Sequence, residues 1–373
     1  MAKQTPPQAK VLPSNHEFVK RLLRDFRTEE AGRKFVAKIE GEGDSWWERG
    51  GAAPRQVFIR FQSEADWLKT RVSFARRWLL ALRLHYLPFS LLPQVLVIGL
   101  LLSRGIPLSG WLVVGALAST TLLHLACNLW NDFEDHLRGI DSDDSSGGSG
   151  AIRNLWIPAA HIRNAAILLF IACVSVGFYL VGTLDWNING RTMLFIGCIG
   201  TIGAASYSGW PFHYKYLALG EVLVFFLCGP LIAIGAMTLI APGAIPLLAL
   251  ALAAYPLGLQ AVLRLHSGNI RRIPYDIRAG ARTIANLIGF QRATNLYLFL
   301  LAPLYALVPL VYFVVGAPSS IFLSYLSLPV AVYQAMLVHR MKGPLDPLAA
   351  KLRRSSTYLD LSFGLLYTLG FIF

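Results

Sequence analysis

Three oxygen-bearing side chains stand at helical spacing in the segment NLWNDFEDHLRGIDSDD, residues 128–144, which directly follows a long apolar run. On a helix, Asn128, Asp132 and Asp135 lie at positions i, i+4 and i+7 and share one face, with Asn131 beside them. Grouped carboxylates repel one another unless a cation joins them, and carboxylate and amide oxygens suit magnesium. The spacing leaves two interpretations open, a magnesium site or a solvated helix end.

A second polar cluster lies in the segment LRLHSGNIRRIPYDIRAGARTIANLIG, residues 263–289. It combines His266, Asn269 and Asp276 with five arginines, which are Arg264, Arg271, Arg272, Arg278 and Arg282. One carboxylate among so many guanidinium groups indicates an anion pocket rather than a metal site, because guanidinium groups pair well with phosphate oxygens. If the two clusters meet at one end of a helical bundle, they suit a magnesium-bound diphosphate with a hydrophobic tail.

The elements that must position these residues are membrane-spanning helices. The 373 residues are 55% hydrophobic and 15% charged, whereas a soluble domain carries about 25% charged residues. About 20 apolar residues cross a bilayer, and such runs are predicted at 85–103, 110–131, 164–183, 192–211, 218–240, 243–263, 292–315, 318–338 and 356–373. The sequence therefore predicts an all-α integral membrane protein with nine transmembrane helices. Ionisable residues at membrane depth favour a functional role for both clusters.

The net charge of +13 follows from membrane topology. All lysines and arginines except Arg104 and Arg191 fall before the first span or in the loops after even-numbered spans. Because positive charge marks the cytoplasmic side, the N-terminus is predicted to be cytoplasmic and the C-terminus to lie on the opposite side. The two polar clusters are predicted to form a polar cap on the cytoplasmic side. Nucleic acid is therefore not an expected partner, and no obligate protein partner is evident. The start of the chain has no apolar segment typical of a secretory signal.

Residues 1–77 are predicted to form a separate N-terminal extension, and residues 78–373 the membrane domain. The extension is predicted to be partly helical, since Phe18, Leu22 and Phe26 recur at helical spacing. A further helix is indicated after a capping box at Ser63 and Asp66. Its mixture of aromatic and basic residues is typical of a helix on an anionic membrane surface. A partner-docking or substrate-gating extension is the alternative.

At these motifs the sequence resembles the UbiA superfamily of intramembrane prenyltransferases, and within it the 1,4-dihydroxy-2-naphthoate prenyltransferase branch of menaquinone synthesis. The first family motif, N-x-x-N-D-x-x-D-x-x-x-G-x-D, matches Asn128 through Asp141, and GGSGAIRNLWIP at 147–158 resembles the stretch that follows it. YSGWPFHYKYLALGE at 207–221 is similar to the next feature. The second motif corresponds to His266 through Thr283. The resemblance covers about residues 78–373.

The resemblance implies magnesium-dependent transfer of an isoprenyl group from an isoprenyl diphosphate to an aromatic, dihydroxynaphthoate-like acceptor. The metal ligands it implies are Asn128, Asp132, Asp135, Asn269 and Asp276. The implied substrate-binding residues are Asn131, Arg138, Arg153, Lys215, Arg271, Arg272, Arg278 and Arg282. Asp132 and Asp135 would promote ionisation of the diphosphate, and Tyr207 would shield the carbocation through its ring. Asp141 or His266 would orient the acceptor or take its proton.

Two positions depart from the family pattern. The second motif normally reads N-N-x-R-D, whereas this chain has Gly268 and Arg272 in place of the first asparagine and the aspartate. A cation in place of a carboxylate would weaken a second metal site, and Arg272 would then contact the diphosphate directly. The departure also leaves two other functions open, a membrane terpene cyclase acting on the same diphosphate and a non-catalytic lipid-binding homologue.

Overall fold

The structure is a computed structural model that describes residues 10–13, 34–39, 56–62, 73–138, 148–153, 156–184, 188–278 and 280–373. The chain divides into two compact units. The smaller unit comprises Met1–Leu84, Leu125–Leu168 and Arg278–Gly280, and the larger comprises His85–His124, Leu169–Ile277 and Ala281–Phe373. Each unit is described by itself.

The N-terminal part of the smaller unit contains a three-stranded antiparallel sheet that the sequence analysis did not predict. The strands are β1 (Lys10–Pro13), β2 (Lys34–Ile39) and β3 (Gln56–Gln62), in the order β1-β3-β2. Lys10 pairs with Ile59, and Phe35 pairs with Phe61. The central strand β3 is rich in β-branched and aromatic residues, Val57, Phe58, Ile59 and Phe61, which favour strands. The predicted helix around Phe18–Phe26 lies outside the described residues, and membrane-surface binding stays a prediction.

The helices follow in chain order. They are α1 (Phe74–Leu82), α2 (Pro88–Ser103), α3 (Gly110–Leu137), α4 (Ala159–Gly182), α5 (Ile188–Ala205), α6 (Gly220–Leu227), α7 (Pro230–Ile240), α8 (Leu247–Arg278), α9 (Ile284–Ile288), α10 (Phe290–Val311), α11 (Leu328–Arg340) and α12 (Pro347–Leu369). Short helical turns lie at Leu84–Tyr86, Tyr214–Tyr216, Tyr312–Gly316 and Ser319–Ser327. The predicted all-α integral membrane fold is thereby confirmed for the membrane domain.

The predicted count of nine spans needs a correction. Within the described ranges, seven helices are long and apolar enough to cross a membrane, and the pair Phe74–Tyr86 and Pro88–Ser103, bent by 49°, makes up to eight. The ninth predicted run, 356–373, falls on α12, which begins earlier and carries Lys351, Arg353, Arg354 and Asp360. These charges place α12 below the apolarity expected of a spanning helix.

The larger unit holds the apolar core, which is drawn chiefly from α2, α7, α8, α10 and α12. Tyr297, Phe363 and Tyr367 are its largest fully buried side chains. Two glycines allow α7 and α8 to approach closely, since a Cβ at Gly229 would lie 2.8 Å from the Cα of Gly258. This packing fixes α8, the helix that carries the second motif.

Candidate active site

The first motif occupies the last turns of α3, which continues as a helix to Leu137, beyond the predicted end of the apolar run. The helical spacing of Asn128, Asp132 and Asp135 is therefore confirmed. The side chains of Asp132 and Asp135 are buried, with 2% and 0% exposure. Buried carboxylates require hydrogen-bond or charge partners, and the smaller unit supplies those of Asp132.

A tight glycine turn places Ser149 against Asp132. Gly148 and Gly150, on either side of Ser149, have φ values of 63° and 75°, which favour glycine. The backbone N–H of Ser149 donates to both carboxylate oxygens of Asp132 at 3.2 and 3.3 Å, and the hydroxyl donates to Oδ2. The conformation of the glycine turn therefore orients the Asp132 carboxylate.

Arg83 provides the charge partner of Asp132. Its guanidinium forms an ion pair with Oδ1 of Asp132, and the Arg83 side chain is 11% exposed. Arg83 Nη2 also donates to the backbone carbonyl of Asn128 at 3.3 Å. Arg83 follows α1 directly and has a left-handed φ of 50°. Asn128 Nδ2 in turn donates to the Leu82 carbonyl at 2.9 Å, so the end of α1 is joined to the first motif.

The other predicted residues of this unit lie along the same segment. Arg138 directly follows α3 and lies 3.7 Å from Glu134 through Nε, with both side chains buried. Asn131 and Arg153 are half-buried and have partners of their own. Asp141 lies outside the described residues. The structure thus brings together Asn128, Asp132 and Asp135.

The donor set at the end of α3 fits a magnesium ion. The amide nitrogen of Asn128 is engaged with Leu82, which leaves its carbonyl oxygen as the potential ligand beside the carboxylates of Asp132 and Asp135. Within the described ranges, no group of three or more histidine, cysteine or acidic side chains could hold a metal ion alone. A magnesium ion here would therefore need oxygens from substrate phosphates, which is its usual mode with one or two carboxylates.

The second motif, in the larger unit, is organised around Glu221 near the start of α6. Glu221 is 5% exposed, and its Oε1 accepts a hydrogen bond from Asn269 Nδ2 at 2.9 Å. His266 Nδ1 lies 3.2 Å from the same oxygen, and His266 Nε2 lies 2.9 Å from the Ala293 carbonyl. Both ring nitrogens of His266 therefore face protein oxygens, which holds the ring between α6 and α10.

Arg272, which departs from the family pattern, has an ion-pair partner within α8. Arg272 Nε lies 3.3 Å from Oδ1 of Asp276, one helical turn further on; Asp276 is buried and the Arg272 side chain is 12% exposed. Arg271 interacts electrostatically with three further guanidinium groups, those of Arg353, Arg354 and Arg272. The second motif therefore combines one internally paired carboxylate with a strongly positive surrounding.

The α5–α6 connection brings further predicted residues of the larger unit together. The segment at Leu217 pairs with Arg282, and the Ala218 N–H donates to the Arg282 carbonyl at 2.7 Å. Lys215 donates its backbone N–H to the Tyr207 carbonyl at 2.7 Å. A Cβ at Gly220 would lie 3.5 Å from the Tyr207 ring, so this ring lies beside the start of α6. The side chain of Arg278 lies outside the described residues.

Three residues with defined roles in these contacts were not predicted as site residues. Ser149 had a signal in the sequence, because a serine between glycines marks a turn with free backbone donors. Glu221 also had one, since a carboxylate at the start of an apolar span needs a partner. For Arg83, the sequence indicated only a basic residue on the cytoplasmic side of the membrane and no role in the site. Its contact with Asp132 depends on tertiary structure.

The fold and the polar clusters define a multi-pass integral membrane protein. Two buried carboxylates, Asp132 and Asp135, lie with Asn128 at the end of one of its helices. The chain belongs to the UbiA prenyltransferase family, whose model matches residues 91–357.

Curated relatives and solved structures agree with this family. The chain is 27% identical over 266 residues to the 1,4-dihydroxy-2-naphthoate octaprenyltransferase of Haemophilus influenzae, which covers 70% of this chain and 85% of the relative. It is 28% identical over 327 residues to the UbiA prenyltransferase domain-containing protein 1 of Rattus norvegicus, covering 85% and 91%. The fold matches a UbiA homolog from Archaeoglobus fulgidus bound to GPP and Mg2+, with a TM-score of 0.55, 16% identity and coverage of 78% and 99%.

Proposed function

We propose that the protein transfers an isoprenyl group from an isoprenyl diphosphate to an aromatic acceptor of the dihydroxynaphthoate type within the membrane. The observation that carries this proposal is the oriented carboxylate of Asp132, which is buried and held by Ser149 and Arg83. A surface carboxylate would need no such arrangement. The name of the Haemophilus influenzae relative supports the acceptor class, since it specifies 1,4-dihydroxy-2-naphthoate.

Asn128, Asp132 and Asp135 would hold magnesium, as the oxygen donor set allows. When bound, the ion would supply positive charge for the leaving diphosphate. The Archaeoglobus fulgidus homolog bound to GPP and Mg2+ supports this assignment. Asp135 is fully buried, so the protein holds its carboxylate away from bulk water. Arg83 neutralises Asp132, and this contact would weaken as the metal and the diphosphate bind.

The cationic residues would bind diphosphate oxygens and favour ionisation of the allylic C–O bond, because charge develops on the leaving group in the transition state. We assign this role to Arg138, Arg153, Lys215, Arg271, Arg278 and Arg282, with Asn131 as a further hydrogen-bond donor. The ring of Tyr207 would face the carbocation, which cation–π contact stabilises.

Proton removal from the acceptor would complete the transfer. The structure engages both ring nitrogens of His266 with protein oxygens, which favours a positioning role for this residue. Asp141 is the remaining candidate for orienting the acceptor or accepting its proton. The cytoplasmic placement of the N-terminus and of the motif-bearing helix ends belongs to the same proposal and is supported by the distribution of lysine and arginine.

The first test is the release of inorganic pyrophosphate by purified protein in detergent with magnesium, isoprenyl diphosphates of several lengths and dihydroxynaphthoate. Asp132→Asn is expected to abolish release because it removes the oriented carboxylate. Glu134→Gln is the matched control on the same helix and is expected to retain release. Equal loss in both variants, or equal activity in both, would contradict the assignment of Asp132.

A further inference from the structure

We propose that the second motif works without a metal ion, because the guanidinium of Arg272 stands where a cation would neutralise Asp276. Magnesium is then confined to the first motif. This inference rests on the proposed diphosphate chemistry and assigns the charge balance of one of its two motifs. Arg272 is a positioning and charge-compensating residue in this scheme.

The contact between Arg272 and Asp276 carries the inference. The two side chains lie one turn apart on α8, with 12% and 4% exposure, and Nε approaches Oδ1 to 3.3 Å. A carboxylate removed from water needs a compensating charge. Here a side chain of the same helix supplies that charge, so the fold does not require a bound ion to keep Asp276 ionised.

Glu221 is a second carboxylate in contact with this motif, and its Oε1 is engaged as well. It accepts from Asn269 Nδ2 at 2.9 Å and lies 3.2 Å from His266 Nδ1. These contacts join α6 to α8. Asn269 directs its amide nitrogen, not its oxygen, to Glu221. A divalent ion at Oε1 would have to displace both partners.

The surrounding charge opposes a dication. Arg271 lies within electrostatic range of Arg272, and two arginines of α12, Arg353 and Arg354, act on it in the same way. Like charges in a partly buried setting are poorly screened. The arrangement therefore repels free divalent cations and attracts phosphate oxygens, which guanidinium groups bind in a planar, bidentate manner.

The test counts metal ions rather than turnover. Full-length protein in detergent is dialysed to equilibrium with Mn²⁺ and inorganic pyrophosphate. The number of bound Mn²⁺ ions is measured by electron paramagnetic resonance and divided by the separately measured number of bound pyrophosphate molecules. We expect Asp276→Asn to leave the wild-type ratio unchanged. Arg272→Asp is expected to raise the ratio by one ion, and the double variant Arg272→Asp/Asp276→Asn to restore it.

Two results would overturn the inference. The first is a lower ratio in Asp276→Asn than in the wild type, which would make Asp276 a metal ligand. The second is an unchanged ratio in folded Arg272→Asp, which would mean that the guanidinium does not occupy a latent cation site. If Arg272→Asp does not fold, Asp276→Asn still decides the question. Asp132→Asn serves as the separate control, since its failure to lower the ratio would count against the proposed function instead.

Discussion

Replacing Asp132 with asparagine removes a charge that several buried groups share. In the structure the carboxylate pairs with Arg83 and accepts hydrogen bonds from the backbone and the hydroxyl of Ser149. Asparagine has almost the same shape but offers a single accepting oxygen, and its NH₂ group would face a donor. Asp132→Asn therefore leaves Arg83 charged, almost buried and without the counter-charge of Asp132.

The exposed fractions of the Arg83 and Asp132 side chains set the size of the expected change in the free energy of unfolding. The Arg83 and Asp132 side chains are 11% and 3% exposed, so solvent screens the pair only slightly. Removing one member of a buried ion pair costs about 3–5 kcal/mol, and we expect Asp132→Asn to lower the free energy of unfolding by about 3 kcal/mol. Arg83→Met should cost a similar amount. The double variant should lose less than the sum, with a coupling of about 2 kcal/mol.

The assay is reversible unfolding in mixed micelles, with sodium dodecyl sulfate as denaturant and tryptophan fluorescence as the signal. The wild type, both single variants and the double variant form one thermodynamic cycle, and Glu134→Gln controls for loss of a nearby carboxylate. A coupling within about 0.5 kcal/mol of zero, the ordinary scatter for independent sites, would refute the role of Arg83 as the charge partner of Asp132.

Two further predictions use the same unfolding titration. Ser149→Ala removes the hydroxyl donor to Asp132 and keeps the backbone donor, so we expect a loss of about 1.5 kcal/mol; no measurable loss would exclude this hydrogen bond. Gly258→Ala should destabilise the protein by about 1–3 kcal/mol, since its Cβ would lie 2.7 Å from the Phe225 carbonyl. Gly268→Ala on the same helix meets nothing within 4 Å and should be neutral or stabilising by up to about 1 kcal/mol, and an equal loss in both alanine variants would contradict the close approach.

Local periodicity made much of the fold predictable. Each of the nine apolar runs falls on helical structure, because hydrophobic length and composition determine helices in a membrane. The run 218–240 is divided between α6 and α7, and the run 318–338 between the turn Ser319–Ser327 and α11. The spacing of Asn128, Asp132 and Asp135 is likewise a local property, and α3 confirms it. The count of spans was wrong because α12 combines apolar residues with Lys351, Arg353, Arg354 and Asp360.

Contacts between distant segments were not predictable. Arg83 reaches Asp132 across 49 positions of sequence, and Glu221 reaches Asn269 across 48. No local pattern specifies such pairs, since they depend on how helices pack. The Arg272–Asp276 pair is intermediate, because spacing of four on a helix permits an ion pair but does not show that the pair is largely removed from solvent. The N-terminal sheet was missed because its short strands lie in a polar, basic region.

The most direct test of the proposed function is the identity of the product. Purified protein is incubated with magnesium, an isoprenyl diphosphate and isotopically labelled dihydroxynaphthoate, and the lipid extract is analysed by mass spectrometry with and without the acceptor. Transfer predicts a labelled, prenylated aromatic product that forms only when the acceptor is present. A cyclic hydrocarbon or alcohol formed without acceptor would establish a terpene cyclase instead, and intact diphosphate under all conditions would contradict both enzymatic functions.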